Sequence, residues 1–163
     1  MFDDHLLMLA RLTLDEAQQK RLKIATAESC TGGLIAGLLT EIPGSSTTVE
    51  RGFIVYSNRA KEEMLNVPGD LIADAGAVSE PVARMMAEGA LENSRANLTV
   101  AVTGVAGPGG GTPLKPVGLV HLAVARENKP IFHQAMRYGD IGRDKVRRET
   151  IITALEMLRK MMA

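Results

Sequence analysis

The hydrophobic positions of the chain follow two spacings, one helical and one typical of strands. Leucines recur every three or four positions on a polar background across residues 4–21, which predicts an amphipathic helix. Residues 22–27 form a short apolar run that predicts a buried strand, and residues 34–39 return to the helical spacing. Residues 28–33 are therefore expected to turn from the end of a strand into the start of a helix.

The same two spacings continue to the end of the chain. Apolar runs predict further strands over residues 51–57, 98–102, 117–125 and 130–137. Helical spacing predicts helices over residues 58–65, 80–93 and 142–162, the second of them capped by Ser79 with Pro81 just inside. Proline and glycine predict breaks at residues 43–47, 68–69 and 103–116.

This alternation of helices and strands predicts an α/β fold. A length of 163 residues suits one domain, and we expect a single mixed β-sheet flanked by helices on both faces, in three α/β/α layers. The last two strands are separated by residues 126–129 and are expected to pair as an antiparallel hairpin.

The composition of the chain argues against nucleic acid and metal ions as binding partners. The chain holds 19 basic and 19 acidic side chains, so its formal charge is zero and no polyanion such as nucleic acid is indicated as a partner. Aromatic residues make up 3% of the chain and tryptophan is absent, which removes the stacking platforms that bind single-stranded nucleic acid. No histidine and cysteine cluster has the spacing of a zinc site, so we expect no metal.

Cysteine usage and the N-terminal residues bear on the compartment. Cys30 is the one cysteine and cannot form an internal disulfide. The chain begins with acidic rather than basic residues, and no apolar run approaches the roughly 18 residues that a membrane span needs. We therefore expect a cytoplasmic protein with no membrane partner.

Ser29 is the first candidate for chemistry. It follows a predicted strand and precedes Thr31, Gly32 and Gly33 at a helix start, where backbone N–H groups and the positive end of the helix dipole favour an oxyanion. The alternative is that Ser29 only caps the helix. Its neighbour Cys30 is a competing nucleophile, since a thiol at a helix N-terminus is acidified, or it is a packing residue.

Lys61 is the candidate base for a serine nucleophile. It lies one helical turn after Tyr56, where partial burial can lower its pKa enough for it to accept a proton, and Tyr56 can assist or relay that proton. The alternative is a solvated lysine paired with Glu62 or Glu63. No histidine stands in an order that suggests a serine, histidine and aspartate triad.

The glycine-rich residues 103–116 permit close backbone approach to a ligand and can cradle a phosphate. The residues expected to contact a ligand there are Thr103, Gly104, Gly107, Gly109 and Gly110. The stretch lacks the phosphate-loop pattern of nucleoside triphosphatases, and a mobile connection is the alternative.

Two arginines near the C-terminus are candidate phosphate ligands. Arg143 and Arg147 are four residues apart at the start of the last predicted helix, so they share a face and can grip an anion. The alternative is that they are solvated or paired with acids such as Asp144.

Four ordered motifs closely resemble the CinA C-terminal domain family. They are Thr26-Ala27-Glu28-Ser29-Cys30-Thr31-Gly32-Gly33, Val55-Tyr56-Ser57-Asn58 with Lys61, Gly76-Ala77-Val78-Ser79, and the run from Thr103 to Gly111. The resemblance extends over nearly the whole chain. It implies hydrolysis of the amide of nicotinamide mononucleotide to nicotinate mononucleotide and ammonia, with a small nucleotide as substrate and with neither cofactor nor metal.

In family terms, Ser29 matches the nucleophile, Lys61 matches its basic partner with Tyr56 nearby, and the glycine loop and late arginines match the ligand-binding end. We expect neutral Lys61 to take the Ser29 proton while N–H groups of residues 31–33 hold the oxyanion. The family also implies a homo-oligomer, commonly a dimer. Some members carry a further N-terminal domain, which we do not expect within these 163 residues.

Two other functions stay open from sequence. One is a nucleotide-binding or regulatory module without turnover, and the other is an amidase for a different small amide. The chain also departs from related sequences at Arg59, where many carry an acid. A second cation there either lowers the pKa of Lys61 or points to solvent.

Overall fold

The computed structural model describes residues 1–163 and forms one five-stranded sheet. The strands are β1 (Ile24–Glu28), β2 (Val49–Ile54), β3 (Leu98–Gly104), β4 (Leu119–Arg126) and β5 (Phe132–Arg137). Six α-helices surround it, namely α1 (Asp4–Gln19), α2 (Leu34–Glu41), α3 (Asn58–Leu65), α4 (Gly69–Ala75), α5 (Glu80–Glu92) and α6 (Arg143–Met162). A 3₁₀ turn at Ser45–Thr47 precedes β2.

The strands are ordered β2-β1-β3-β4-β5 across the sheet. β1 pairs in parallel with both β2 and β3, whereas β4 runs antiparallel to β3 and to β5. The mixed sheet and the β4–β5 hairpin are therefore confirmed. Because β1, β2 and β3 are parallel, their carboxyl ends meet at one edge of the sheet, which is where ligands collect in α/β folds.

Helices cover both faces of the sheet, which confirms the three-layer α/β architecture. The larger core packs α1, α2 and α6 against one face, and the smaller core packs α3, α4 and α5 against the other. In β3, Leu98, Val100 and Val102 face the larger core while Ala101 faces the smaller one. Burial on both faces explains why this strand is apolar throughout rather than alternating.

Several element boundaries differ from the sequence predictions by one to three residues, and three differences lie near the carboxyl edge of the sheet or have a local cause. Residues 68–69 were expected to break the chain, but Pro68 is the N-cap of α4, where the fixed φ of proline fits the entry to a helix. β2 ends at Ile54 because Ser57 already caps α3, accepting a hydrogen bond from the Ala60 N–H. β3 runs on to Gly104, so the glycine loop begins at Val105.

None of the helices combines the length and the hydropathy that crossing a membrane requires.

Candidate active site

A serine and a lysine meet at the carboxyl edge of the sheet. Ser29 directly follows β1, and Lys61 lies in the first turns of α3, shortly after β2 ends. Because β1 and β2 are parallel neighbours, the residues that follow them lie side by side. Lys61 Nζ lies 3.0 Å from Ser29 Oγ, and both side chains are buried, with Lys61 only 1% exposed.

Lys61 Nζ has two further contacts, at 3.0 Å from the Val55 carbonyl oxygen and at 3.3 Å from that of Tyr56. No carboxylate lies within ion-pair distance of this amine. Burial lowers the pKa of Lys61 below its ordinary value, because desolvation disfavours the charged form. A neutral amine has two N–H donors and one lone pair, so it can donate to both carbonyls and accept from the Ser29 hydroxyl.

The alternative of a solvated Lys61 is therefore wrong. Glu63 pairs instead with Arg59, whose Nε lies 2.6 Å from a Glu63 carboxylate oxygen. The Arg59 side chain is 85% exposed, so it points to solvent rather than toward the amine of Lys61.

Tyr56 contacts Lys61 through its backbone carbonyl, and its hydroxyl is not placed to relay a proton between Ser29 and Lys61. Its backbone carbonyl accepts from Lys61, but its hydroxyl lies 3.2 Å from an Arg143 guanidinium nitrogen and hydrogen-bonds neither Ser29 nor Lys61. The Tyr56 side chain is largely exposed at the mouth of the site. The arrangement thus places the phenol beside the entrance and leaves the serine and lysine in direct contact.

Cys30 lies beside Ser29 but is a poor nucleophile in this setting. The residue is buried, and burial raises the pKa of its thiol to about 11. The thiol form therefore dominates at neutral pH, and the thiolate is the reactive species. The geometry favours Ser29 over Cys30.

A buried carboxylate, that of Glu28, lies at the start of α2, where N–H groups were expected to face an oxyanion. The first free N–H groups of α2, those of Ile35 and Ala36, donate to the Glu28 carboxylate at 2.9 and 3.0 Å. Glu28 thus caps this helix, and the alternative of a Ser29 cap is wrong. Since the carboxylate occupies the positive end of the helix dipole, that end does not face a substrate.

Thr31, Gly32 and Gly33 lie outside the cavity beside Ser29. The Thr31 hydroxyl donates to Glu28 at 2.6 Å, and Gly33 occupies the N-cap position of α2 with φ 101°. These contacts stabilise the turn, and a role of the three residues in binding a ligand stays a prediction. Cys30 lines the cavity, and no carbonyl or carboxylate of the protein accepts its N–H, so this group is a candidate donor for an oxyanion.

The cavity beside Ser29 has a volume of about 200 Å³. Its lining comes from five segments of the chain: Ser29, Cys30, Tyr56, Asn58, Lys61, Ala77, Val78, Thr103, Gly104, Ala106 and Arg143. Ala77, Val78 and Ala106 form a small apolar wall of this cavity and were not predicted as site residues. The Gly76–Ser79 motif was the sequence feature that could have indicated Ala77 and Val78. The Thr103 hydroxyl donates to the Ala77 carbonyl at 2.9 Å and so holds this wall against β3.

The residues of the glycine loop and the two late arginines do not all lie at the Ser29 cavity. Arg143 donates to the Gly107 carbonyl at 2.8 Å and borders the Ser29 cavity. Gly109 and Gly110 line a separate, wider cavity of about 680 Å³. Arg147 donates to the Cys30 and Thr31 carbonyls of the turn after β1, so the two arginines contact different parts of the site, and their joint binding of an anion stays a prediction.

No group of three or more histidine, cysteine, aspartate or glutamate side chains is placed to hold a metal ion. His121 and His133 instead face each other, 2.9 Å apart on β4 and β5, with a Glu80 carboxylate oxygen 3.6 Å from His133. Neither histidine lines the Ser29 cavity.

Comparison with known proteins yields one family. The model of the CinA C-terminal domain matches residues 7–162. A CinA-like protein of Anaeromyxobacter sp. (strain K) is 51% identical over 137 residues, covering 84% of this chain and 33% of that relative. A CinA-like protein of Akkermansia muciniphila is 62% identical over 107 residues, covering 66% of this chain and 26% of that relative. The chain thus spans about a third or less of the length of these relatives.

Solved structures agree with the sequence relatives. The competence/damage inducible protein CihA from Agrobacterium tumefaciens superposes with a TM-score of 0.96 at 54% identity, over 98% of this chain and 97% of that one. A CinA superfamily protein from Klebsiella pneumoniae superposes with a TM-score of 0.91 at 28% identity, over 96% of this chain and 97% of that one.

Proposed function

The chain belongs to the CinA C-terminal domain family, and from that premise we propose that it is an amidohydrolase acting on nicotinamide mononucleotide. Its products are nicotinate mononucleotide and ammonia. The observation that carries the proposal is the 3.0 Å contact between Ser29 Oγ and the buried amine of Lys61. The lysine has no carboxylate partner and lies at hydrogen-bond distance from a serine that borders a cavity. Such a lysine is suited to activating that serine as a nucleophile.

The first half of the proposed reaction forms an acyl-enzyme. Neutral Lys61 takes the proton of Ser29 while Oγ attacks the carboxamide carbon. The carbonyl oxygen becomes an oxyanion, to which the Cys30 N–H donates. Lys61, now an ammonium, returns the proton to the amide nitrogen, the C–N bond breaks and ammonia leaves.

The second half regenerates the serine. Lys61 takes a proton from water as the water attacks the acyl carbon, and it returns that proton to Ser29 Oγ as the ester bond breaks. The product leaves as the carboxylic acid of nicotinate mononucleotide, which releases its proton to water and becomes the carboxylate. No step of this scheme uses a metal or an organic cofactor.

The dimensions of the cavity support an aromatic amide rather than a whole nucleotide inside it. At about 200 Å³ it is smaller than the roughly 300–1,000 Å³ of pockets that enclose a drug-sized ligand. The nicotinamide ring packs against Ala77, Val78 and Ala106, while the ribose and phosphate extend past Tyr56 and Arg143 at the entrance. Arg143 supplies a positive charge there and donates to the Gly107 carbonyl of the glycine loop.

The same small cavity also favours a second candidate, an amidase for a smaller amide that has no nucleotide. In that case the proposed contact of Arg143 with a phosphate has no role. A binding module without turnover is the third possibility, and it has no use for a buried lysine in contact with a serine. For the assembly, we propose a homo-oligomer, in line with the family resemblance.

Ammonia release from nicotinamide mononucleotide and from free nicotinamide separates these functions. We expect turnover of the nucleotide by the wild type and by Cys30→Ala, and none by Ser29→Ala or Lys61→Met, each variant first checked for folding by circular dichroism. Turnover of free nicotinamide at an equal or higher kcat/KM supports the smaller amide as substrate. Binding of the nucleotide by folded wild type without ammonia release supports the binding module and rejects the amidohydrolase.

A further inference from the structure

We infer that Glu28 is a positioning residue for the nucleophile, a role that the proposed serine and lysine chemistry does not assign to it. Glu28 is the last residue of β1 and immediately precedes Ser29. Its side chain is fully buried, and no lysine, arginine or histidine lies within ion-pair distance. A carboxyl group in that position carries no counter-ion and does not contact the cavity.

The carboxylate is instead surrounded by four hydrogen-bond donors. One oxygen accepts from the Thr31 hydroxyl at 2.6 Å and from the Ile35 N–H at 2.9 Å. The other oxygen accepts from the Thr26 hydroxyl and from the Ala36 N–H, both at 3.0 Å. Each oxygen of the carboxylate thus accepts two hydrogen bonds. A carboxamide at this position could not accept all four, because its nitrogen is itself a donor.

These contacts tie three pieces of structure to one side chain. Thr26 belongs to β1, Thr31 belongs to the turn after it, and Ile35 and Ala36 belong to α2. The turn therefore cannot move relative to the strand and the helix without breaking a charge-assisted hydrogen bond. Ser29 lies within that turn, between Glu28 and Thr31, and its own N–H is fixed to the Val102 carbonyl of β3 at 3.1 Å.

The consequence for chemistry follows from distance. Ser29 Oγ lies at hydrogen-bond distance from Lys61, and proton transfer needs that distance to be kept. A misplacement of about 1 Å can reduce a rate by roughly a hundredfold. Burial of a charged group without a counter-ion lowers the stability of the fold. Because the Glu28 carboxylate is buried directly beside Ser29, we infer that it is retained to fix the position of the nucleophile.

Two hydroxyls that bind the same carboxylate provide the test. Thr31→Val removes the donor located in the turn, whereas Thr26→Val removes the donor located in the strand. Both variants lose one hydrogen bond to Glu28, so we expect them to lose similar amounts of thermal stability. Thr31→Ser keeps the hydroxyl and should restore the wild-type behaviour. Thr31→Ala carries the same expectation as Thr31→Val if the valine variant does not fold.

Two rates are measured for each variant. One is hydrolysis of nicotinamide mononucleotide, which rests on the proposed function. The other is labelling of Ser29 by a fluorophosphonate, in which Oγ attacks phosphorus, Lys61 takes the hydroxyl proton and fluoride leaves as the P–F bond breaks. The second rate reports the reactivity of Ser29 whatever the natural substrate is.

We expect Thr31→Val to lower both kcat and the labelling rate by about tenfold or more with KM unchanged, and Thr26→Val to stay within about twofold of wild type. The inference is overturned if Thr31→Val reacts at the wild-type rate, or if Ser29 of the wild type is not labelled. Labelling without ammonia release refutes the proposed substrate, and the labelling rates then decide the role of Glu28 alone.

Discussion

The proposed chemistry of this site depends on the protonation state of one buried amine, that of Lys61. Protonated Lys61 has no lone pair and cannot take a proton from Ser29, so only the neutral form is the base. Burial without a carboxylate partner lowers the pKa of Lys61 and so increases the neutral fraction near neutral pH. In the proposed reaction, burial of Lys61 without a counter-ion is therefore what makes its amine available as a base.

The first prediction is the pH dependence of this base. The kcat/KM for nicotinamide mononucleotide should rise with pH as free Lys61 loses its proton, with a midpoint below the ordinary lysine value of about 10.4. Lys61→Arg keeps a cation that does not deprotonate in this range, so it should be inactive at every pH. The measurement is a pH profile of initial rates, with folding followed by circular dichroism. A rate that falls as the pH rises through the neutral range contradicts the role of Lys61.

The sequence allowed only part of this site to be predicted. Ser29 and Lys61 were identified chiefly by family resemblance, since their spacing alone left a helix cap and a solvated lysine as alternatives. The start of α2 was predicted to offer free N–H groups to a substrate, but Glu28 accepts the N–H groups of Ile35 and Ala36 there. The burial of Glu28 cannot be read from one position in a strand.

At the level of elements, the position of Lys61 depends on how closely α3 packs against α5. Gly89 of α5 faces the backbone of Leu65 at the end of α3. A Cβ on Gly89 would overlap the Leu65 carbonyl oxygen, and the carbonyl carbon would lie 2.9 Å away. Backbone atoms cannot rotate away as a flexible side chain can, so only glycine permits this approach.

The second prediction compares two helical glycines. Gly89→Ala should lower the free energy of unfolding by about 1–3 kcal/mol or more and also lower kcat, because relief of the overlap displaces the helix that carries Lys61. Gly37→Ala in α2 is the matched control. A Cβ there meets only Phe2 at 3.9 Å, so the change should be neutral or stabilising by up to about 1 kcal/mol. Urea denaturation and ammonia release measure both effects, and equal stability of the two variants would refute this account of the packing.

Element prediction from sequence found five of the six helices and missed α4. The 20-residue α6 and the 13-residue α5 were predicted to within a residue or two, since each shows several turns of apolar spacing or a clear cap. The seven-residue α4 was missed because one buried side chain, Ile72, leaves no period to detect. Its role in the fold comes from packing against α3 and α5, which is a tertiary effect.

At the scale of the whole molecule, the site is completed by the most distant part of the chain. Arg147 of α6 donates to the Cys30 carbonyl at 3.1 Å and to the Thr31 carbonyl at 3.2 Å, across 117 residues of sequence to Cys30. The sequence predicted the helical spacing of Arg143 and Arg147, but it did not predict which residues the two arginines contact. Which segment a helix face meets depends on how α6 packs against the sheet, and no local pattern records that.

The last prediction separates this long-range contact from general stability. Arg147→Met should lower kcat by about tenfold or more, because the turn that holds Ser29 loses its support from α6 while the Ser29 and Lys61 side chains stay intact. Arg148→Met is the matched control, since the neighbouring Arg148 pairs with Asp3 at the surface, 2.9 Å away, and contacts no residue of the turn. An exposed ion pair contributes at most about 1 kcal/mol, so Arg148→Met should keep the wild-type kcat with a small loss of stability. Equal kcat values for the two variants, measured by ammonia release on folded protein, would mean that α6 contributes to the fold alone and that the turn holds Ser29 without it.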